Sequence, residues 1–397
     1  MTCVVVMGGS LGGLTAALTL RDIGCEVTVY ERSPGPLVGQ GAGIVLNPAT
    51  VRYFTTRPGF DLDSVSMAPH WVRYMDQTGG TVHEAPCPYR FSSYNALYRG
   101  LLDCFEAERY HLGAAVIGFD QDNDGVNVQL AGGRRDRCDL LVCADGIRST
   151  ARRLLLPELA LAYAGYIAWR GTVSPAELDP QIYATLHRAV TYHIRSDGHL
   201  LVYPIPVVDQ APGATTPQLH LNWLWYRNVA PGPALDELMT DRAGVARDLS
   251  LPPGMVQEGH LAQMRADAVR LPPPLAEIIH STAQPFIQVI VDLEPPQMAF
   301  GRVCLIGDAA FVARPHAAAG TAKAAEDAWT LSTAVAEAGG DVIAALRRWE
   351  PGQLQLGQRL VARTRETGRR FQFESTWHEG APLPFGLYEV GDSAMPG

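Results

Sequence analysis

Apolar positions along this chain come in two textures. The first is the short continuous run: Val4-Val5-Val6-Met7, Val27-Thr28-Val29-Tyr30 and Val303-Cys304-Leu305-Ile306 show no polar alternation, which predicts strands buried on both faces of a parallel sheet. Between the first two, Leu14 to Ile23 reads as a helix stopped by Gly24. The second texture begins near Ala160, in aromatic-rich segments separated by proline turns: Tyr166 to Gly171, Leu200 to Pro204 and His220 to Tyr226. These predict strands of a separate sheet. Its Trp and Tyr rings either cover an aromatic, hydrogen-bonding ligand or simply pack a core.

Shorter patterns fill the intervals. Trp71 to Met75 and Thr81 to Glu84, joined across Gly79-Gly80, predict a hairpin, and a helix follows over Asn95 to Glu106. Val116 to Phe119, Val126 to Leu130 and Cys138 to Cys143 predict a meander, with Arg134, Arg135 and Arg137 in a solvated turn beside Gly132-Gly133. Helices are expected over Ala151 to Leu156, Thr321 to Ala338, and from Asp341 into the 360s. An extended tail holding Pro382, Pro384 and Pro396 closes the chain. The expected fold is α/β: a Rossmann-like unit from 1–160 with 296–340, interleaved with a mixed-sheet substrate unit over 161–295, then C-terminal helix and tail over 341–397.

The turn after the first strand carries the chemistry. Gly8-Gly9-Ser10-Leu11-Gly12-Gly13 opens the helix, and Glu31 ends the next strand, roughly 20 residues further on. A helix N-terminus offers N–H groups and a positive dipole end to a pyrophosphate, and the acid is placed for a ribose diol. Ser10 stands where the dinucleotide fingerprint has its middle glycine; it is small and can donate its hydroxyl to a phosphate oxygen. A second glycine-rich stretch, Gly39-Gln40-Gly41-Ala42-Gly43, leads into the apolar Ile44-Val45-Leu46 and reads either as backbone pressed against something flat or as an ordinary loop.

Composition narrows the field. At 397 residues and 47% hydrophobic the chain can build two or three domains with large cores. A net charge of −9 with no dense basic block argues against nucleic acid or an anionic membrane as partner. No apolar run reaches membrane-spanning length and the first strand starts at once, so a cytoplasmic protein is expected. Seven cysteines without a C-x-x-C pair fit reduced thiols better than disulfides or a zinc site, and no metal is expected.

Three segments stand in register: Gly8 to Gly13 with Glu31; Cys143-Ala144-Asp145-Gly146-Ile147-Arg148-Ser149; and Gly307-Asp308-Ala309-Ala310 with Pro315 and Glu326-Asp327-Ala328. Together they resemble the signature set of the single-component FAD-dependent aromatic hydroxylases, the class of para-hydroxybenzoate and salicylate hydroxylases. The resemblance implies non-covalent FAD, NADH or NADPH as co-substrate, O2, and hydroxylation of a ring through a flavin C4a-hydroperoxide. It implies cofactor contacts from Gly8, Gly9, Ser10, Leu11, Gly12, Glu31, Arg32, Gly43, Arg99, Asp145, Asp308, Pro315, Ala318, Gly320 and Thr321. Phe311 and Ala318-Ala319-Gly320 depart from most relatives, which carry His and Gly-Gln-Gly there. The members acting on dihydroxypyridines share the departure, so a small hydroxylated ring, 2,6-dihydroxypyridine hydroxylated at carbon 3, is the first choice.

Tyr203, Trp223, Tyr226 and His316 are the candidate substrate wall, with His316, Tyr203 and Tyr226 as candidate catalytic groups. His316 follows Pro315 at a helix start and reads either as a base or as a residue that only closes the turn. A tailoring hydroxylase of a larger pyridinol or polyphenol, an FAD-dependent dehydrogenase on the same fold, an NAD-dependent Rossmann dehydrogenase and a flavin-binding regulator are the competing readings. A homodimer is the expected assembly.

Overall fold

A computed structural model describes residues 1–37, 43–207 and 218–395. The stretch Gly39 to Ala42 and Pro396, both singled out above, lie outside the described residues.

The continuous apolar runs form a six-stranded sheet in the order Ala299–Phe300, Val303–Leu305, Leu140–Cys143, Cys3–Met7, Glu26–Tyr30, Tyr110–His111. All its pairings are parallel except that of the edge strand Ala299–Phe300. Helix Leu11–Asp22 follows the first strand and ends at Ile23, with Gly24 at φ +92 beyond it. On the same side runs Gly320–Glu337, close enough that the Thr19 hydroxyl donates to the Ala328 carbonyl at 3.4 Å.

The meander is built differently from its expectation. Its third strand is Arg135–Cys138, paired with Val126–Leu130, which pairs in turn with Val116–Gln121. Leu140–Cys143 instead joins the parallel sheet beside Cys3–Met7. The arginines expected in a turn therefore lie largely on a strand, where Arg137 bonds both Asp122 and Asn127. Cys138, the last residue of the charged strand Arg135–Cys138, is divided from Leu140–Cys143 only by Asp139 and so reads with it as one run in the sequence.

The aromatic segments form an eight-stranded mixed sheet: Ser250–Leu251, Phe286–Asp292, Ala162–Val173, Leu219–Asn228, Gly198–Pro206, Ala189–Arg195, Trp71–Met75, Thr81–Pro86. The last two strands, the expected hairpin, come from within 1–160; they join by a parallel pairing of Trp71–Met75 with Ala189–Arg195. Side chains alternate across a strand, so each long strand serves two compartments. Leu221, Trp223 and Trp225 face a core with helices Glu258–Ala268 and Pro273–Ser281. Leu224 and Tyr226 face the opposite side with Leu201 and Tyr203.

That alternation removes Trp223 from the substrate wall. Its ring is fully buried and its indole N–H donates to the Thr282 hydroxyl at 2.8 Å on the helix-covered side. The C-terminal helix Val342–Arg369 crosses behind, and the tail, free of regular structure as expected, is packed down by Trp377, Leu383, Phe385 and Leu387. Among the described residues no helix is long and apolar enough to cross a membrane.

Trp223→Phe should therefore act on stability alone. Losing the buried hydrogen bond and part of the ring costs about 1–3 kcal/mol, read as a Tm lowered by several degrees. Substrate KM should stay at the wild-type value, and a raised KM with unchanged Tm would put the indole back at the ligand.

Candidate active site

The glycine turn is held from three sides. Gly8 sits at φ +102, where a Cβ would lie 2.4 Å from the Ala144 carbonyl oxygen, so only glycine lets the first strand turn this close to its neighbour. Glu31 accepts from the Gly9 and Ser33 N–H groups, each at 2.8 Å, and the Tyr110 hydroxyl donates to the Gly9 carbonyl at 2.9 Å. Ser10 pairs its hydroxyl with that of Tyr94 at 2.8 Å and does not cap the helix. The first-turn N–H groups of Leu11–Asp22 are thus left to a ligand.

The second carboxylate turn is anchored through charge buried in the helix behind it. Asp327 accepts from the Gly307 N–H at 3.0 Å and pairs with Lys323 one turn earlier; both side chains are buried, and Lys323 also stands over the Phe311 ring. From the other side Arg152 donates to the carbonyls of Asp308 and Ala309 at 3.1 and 3.0 Å, and to that of Ile147. Asp308 itself opens into the cavity while protein encloses it at longer range. That enclosure pushes its carboxyl up to about 6, against the pull of Arg152.

Both turns, the start of Gly320–Glu337 and the aromatic sheet enclose one cavity of about 520 Å³. Ser10, Leu11, Gly12, Gly43, Tyr203, Tyr226, Asp308, Pro315, Ala318, Gly320 and Thr321 line it. So do Tyr94, Arg170, Gln288 and Phe385, which sequence reasoning did not single out. Arg170 shares strand parity with Tyr166 and Ala168, so counting by twos groups it with them, but does not tell that its end of this face lines a cavity. Phe385 comes from the tail and left no pattern to read.

Gly43 is pressed against a flat group, and that group belongs to the chain: a Cβ there would lie 2.3 Å from the Tyr203 ring. The Tyr203 hydroxyl donates to the Gly43 carbonyl at 3.0 Å, while Asn222 accepts from its N–H at 3.2 Å. Burial pushes the Tyr203 phenol up to about 12 and raises that of Tyr226 further, with Arg170 opposing both. Burial thus favours the protonated form of each phenol at neutral pH.

Other expected contacts sit off the cavity wall. Gly8, Gly9 and Glu31 shape the turn from behind. Arg32 is exposed, and Arg99 lies half-buried on helix Tyr94–Leu102. Asp145 accepts from the Ser149 hydroxyl at 2.6 Å and from the Thr150 and Ala151 N–H groups, so its carboxylate caps helix Thr150–Leu155 and reaches the site only through its neighbours Ala144 and Gly146. His316 points away from the cavity that its neighbour Pro315 lines. Its Nε2 pairs with the Tyr166 hydroxyl at 2.7 Å, in a buried ring cluster with His199, Tyr226 and Phe371.

The geometry suits a dinucleotide whose phosphates meet one helix start and whose ring meets another, and comparison with known proteins agrees. A family model described as FAD binding domain matches residues 1–209, and a second, FAD binding domain-like, matches 163–292. The 2,6-dihydroxypyridine 3-monooxygenase of Paenarthrobacter nicotinovorans is 39% identical over 394 residues, covering 99% of this chain and 97% of its own. The chain belongs to the FAD-dependent aromatic hydroxylases. Its fold matches the solved 2,6-dihydroxypyridine-3-hydroxylase from Arthrobacter nicotinovorans with a TM-score of 0.91 at 39% identity, over 98% of each chain. HpxO from Klebsiella pneumoniae, solved with FAD and uric acid, shares the fold at a TM-score of 0.75 and 22% identity, over 94% of this chain and 90% of its own. As in the family, FAD is the cofactor, and the residues present fit it: an uncapped helix start, an open carboxylate and a cavity between two sheets.

The His316 site generates a stability prediction. Burial, helped by Arg314, pulls its pKa down to about 3, and burial pulls His199 in the same direction. As pH falls below about 6.5 the unfolded chain takes up protons that these rings refuse, so stability present at neutral pH is lost toward pH 3, by at most about 1.4 kcal/mol per pH unit for each histidine. His316→Gln should make that acid loss shallower in chemical denaturation. A variant with an unchanged acid slope and a lost pH dependence of hydroxylation would return the imidazole to the reaction.

Proposed function

We propose that this chain hydroxylates a small hydroxylated heteroaromatic ring, 2,6-dihydroxypyridine at carbon 3 before others, with NADH or NADPH and O2. The observation that carries the substrate choice is the 39% identity to 2,6-dihydroxypyridine 3-monooxygenase along nearly the whole chain. A cavity wall of Tyr203, Tyr226, Gln288 and Arg170 supports it, since flat apolar faces with polar edges suit a small hydroxylated ring.

In this reading the FAD-binding part is drawn from 1–160 and 296–340 and the substrate sheet from 161–295. The N–H groups at the start of Leu11–Asp22 hold the pyrophosphate. Glu31 orders the turn through Gly9 and keeps acceptor capacity for the ribose diol, because each carboxylate oxygen has two lone-pair sites. Asp308 accepts from a ribityl hydroxyl. The start of Gly320–Glu337, which no side chain caps, directs its positive end at the flavin ring. Bound FAD supplies the redox chemistry, passing electrons from the nicotinamide to O2 so that one oxygen atom can add to an electron-rich ring. Leu201, Leu224 and Phe385 exclude water from that space, while Tyr203 and Tyr226 orient the substrate ring.

Two measurements follow. The anionic form of Asp308 is the better acceptor, and its carboxyl is raised to about 6 before the cofactor binds. FAD binding should therefore release a proton and tighten as pH rises from about 5 to about 7. Asp308→Asn should bind FAD more weakly at neutral pH and lose that dependence; full occupancy with the same pH profile would remove the carboxylate from this role. For the activity, NADH oxidation, O2 uptake and product formation are followed together over a panel of pyridinols, phenols and polyphenols. Coupled hydroxylation should be strongest for 2,6-dihydroxypyridine. Strongest turnover on a larger polyphenol would favour a tailoring enzyme, and turnover without oxygen insertion would favour a dehydrogenase.

A further inference from the structure

Of the described residues lining the cavity, two are charged: Asp308 on the flavin side and Arg170 on the sheet. Histidine is absent from that lining, and the tyrosines on it, Tyr94, Tyr203 and Tyr226, are all held in their protonated form by burial. The wall thus holds a cation and no evident base on the sheet side.

Arg170 is built into place. Strand Ala162–Val173 pairs with Phe286–Asp292 on one side and Leu219–Asn228 on the other, which sets Arg170 opposite Phe286 and Leu224. Its Nη1 donates to Gln288 Oε1 at 2.6 Å, and its guanidinium stands 5.8 Å from the Phe286 ring centroid. Nε is buried without a hydrogen-bond partner, and no carboxylate among the described residues pairs with the group. The other cations enclosed near the site differ: Lys323 has Asp327, Arg314 has Asp292, and Arg152, which has no carboxylate in ion-pair contact among the described residues, is met by three backbone carbonyls. A guanidinium kept in a mostly apolar cavity with one neutral partner is left short of an anion.

We propose that Arg170, fixed by Gln288, is an oxyanion subsite that takes the hydroxylated ring as its anion. This rests on the reading of the chain as a hydroxylase of small hydroxylated rings. The ring hydroxyl gives its proton to water as the anion settles against the guanidinium, so no side chain has to carry that proton. A ring oxyanion is more electron-rich than the neutral ring and adds to an electrophilic oxygen faster. Arg170 thus does by charge what was expected of His316 by proton transfer. The charged and titratable groups that share the cavity lining with Arg170 are Tyr226 and Tyr203 on the sheet, both acted on by its charge, and Asp308 and Tyr94 from the other elements, with Gln288 as its neutral partner.

The test is the absorption difference spectrum of 2,6-dihydroxypyridine added to the oxidised, FAD-loaded enzyme without NADH, recorded from pH 5 to 9, and repeated with a panel of pyridinols and phenols. An opposite charge within a few ångströms lowers an acid's pKa by about 1–3 units. Wild type should bind the anion at a pH at least about one unit below the free ring's own transition. Arg170→Gln should bind the neutral ring at pH 7, with KM raised about tenfold and the optimum for hydroxylation moved alkaline. Arg170→Lys, keeping the charge and losing the fork, should restore part of the anion signal. The subsite is overturned if Arg170→Gln binds the anion as wild type does, or if wild type binds every ring neutral. It is also overturned if all variants lose FAD while the ring transition stays put, since the cation then serves the cofactor. If wild type binds another ring of the panel as its anion but not 2,6-dihydroxypyridine, the substrate reading falls and the subsite stands.

Discussion

The contact on which the site depends most is the bond from the Gly307 N–H to a carboxylate of Asp327, with Lys323 neutralising that carboxylate in the protein interior. Burial alone would raise the Asp327 carboxyl and favour its neutral form; Lys323 and the Gly307 N–H oppose this. A buried pair of this kind adds little net stability. Loss of either partner is costly, about 3–5 kcal/mol, because a lone buried charge remains. What the pair secures is geometry. It ties helix Gly320–Glu337 to the turn carrying Asp308, and the same helix packs its Ala324 against Gly12 of the first turn. One buried charge pair therefore sets the distance between the two turns that line the cavity.

The opposite wall obeys a different constraint. A β-sheet offers its side chains in alternation, so a single strand supplies both the floor of a cavity and the core beneath it. Tyr226 and Leu224 face the ligand space because Trp223 and Trp225 face the helices. Behind the floor lies a layer of neutral rings, His316, His199 and Phe371, whose burial keeps the histidines uncharged. Among the described residues this leaves the electrostatics of the cavity to two groups, Asp308 after the parallel sheet and Arg170 on the mixed sheet. A cofactor with hydroxyls on one side and an electron-rich ring on the other matches that division.

Much was legible along the chain because it is encoded locally. The run Val4 to Met7, the glycine turn and Glu31 define strand, turn, helix and acid within one short unit, and the structure builds each of them, with the helix opening earlier than the pattern put it, at Leu11, and the strand ending at Tyr30, just before Glu31. The motifs at Asp145 and Asp308 were equally visible, but their side chains have different duties: one caps its own helix, the other opens into the cavity. Sequence spacing cannot separate these, since both begin as an acid after a buried strand.

By itself, then, the sequence determined the fold class and a dinucleotide-type turn, properties of contiguous residues with a fixed period or spacing, while FAD as the cofactor came from resemblance to a family. Tertiary structure alone decided which aromatic rings line the cavity, that Trp223 and His316 turn away from it, and that Phe385 returns from the tail to line it. It also left Arg170 as the sheet's one cation on the cavity among the described residues. The physical reason is that strand parity says which residues share a face, but not which face is covered by helices and which by a cavity. That is set by packing between segments far apart in the chain.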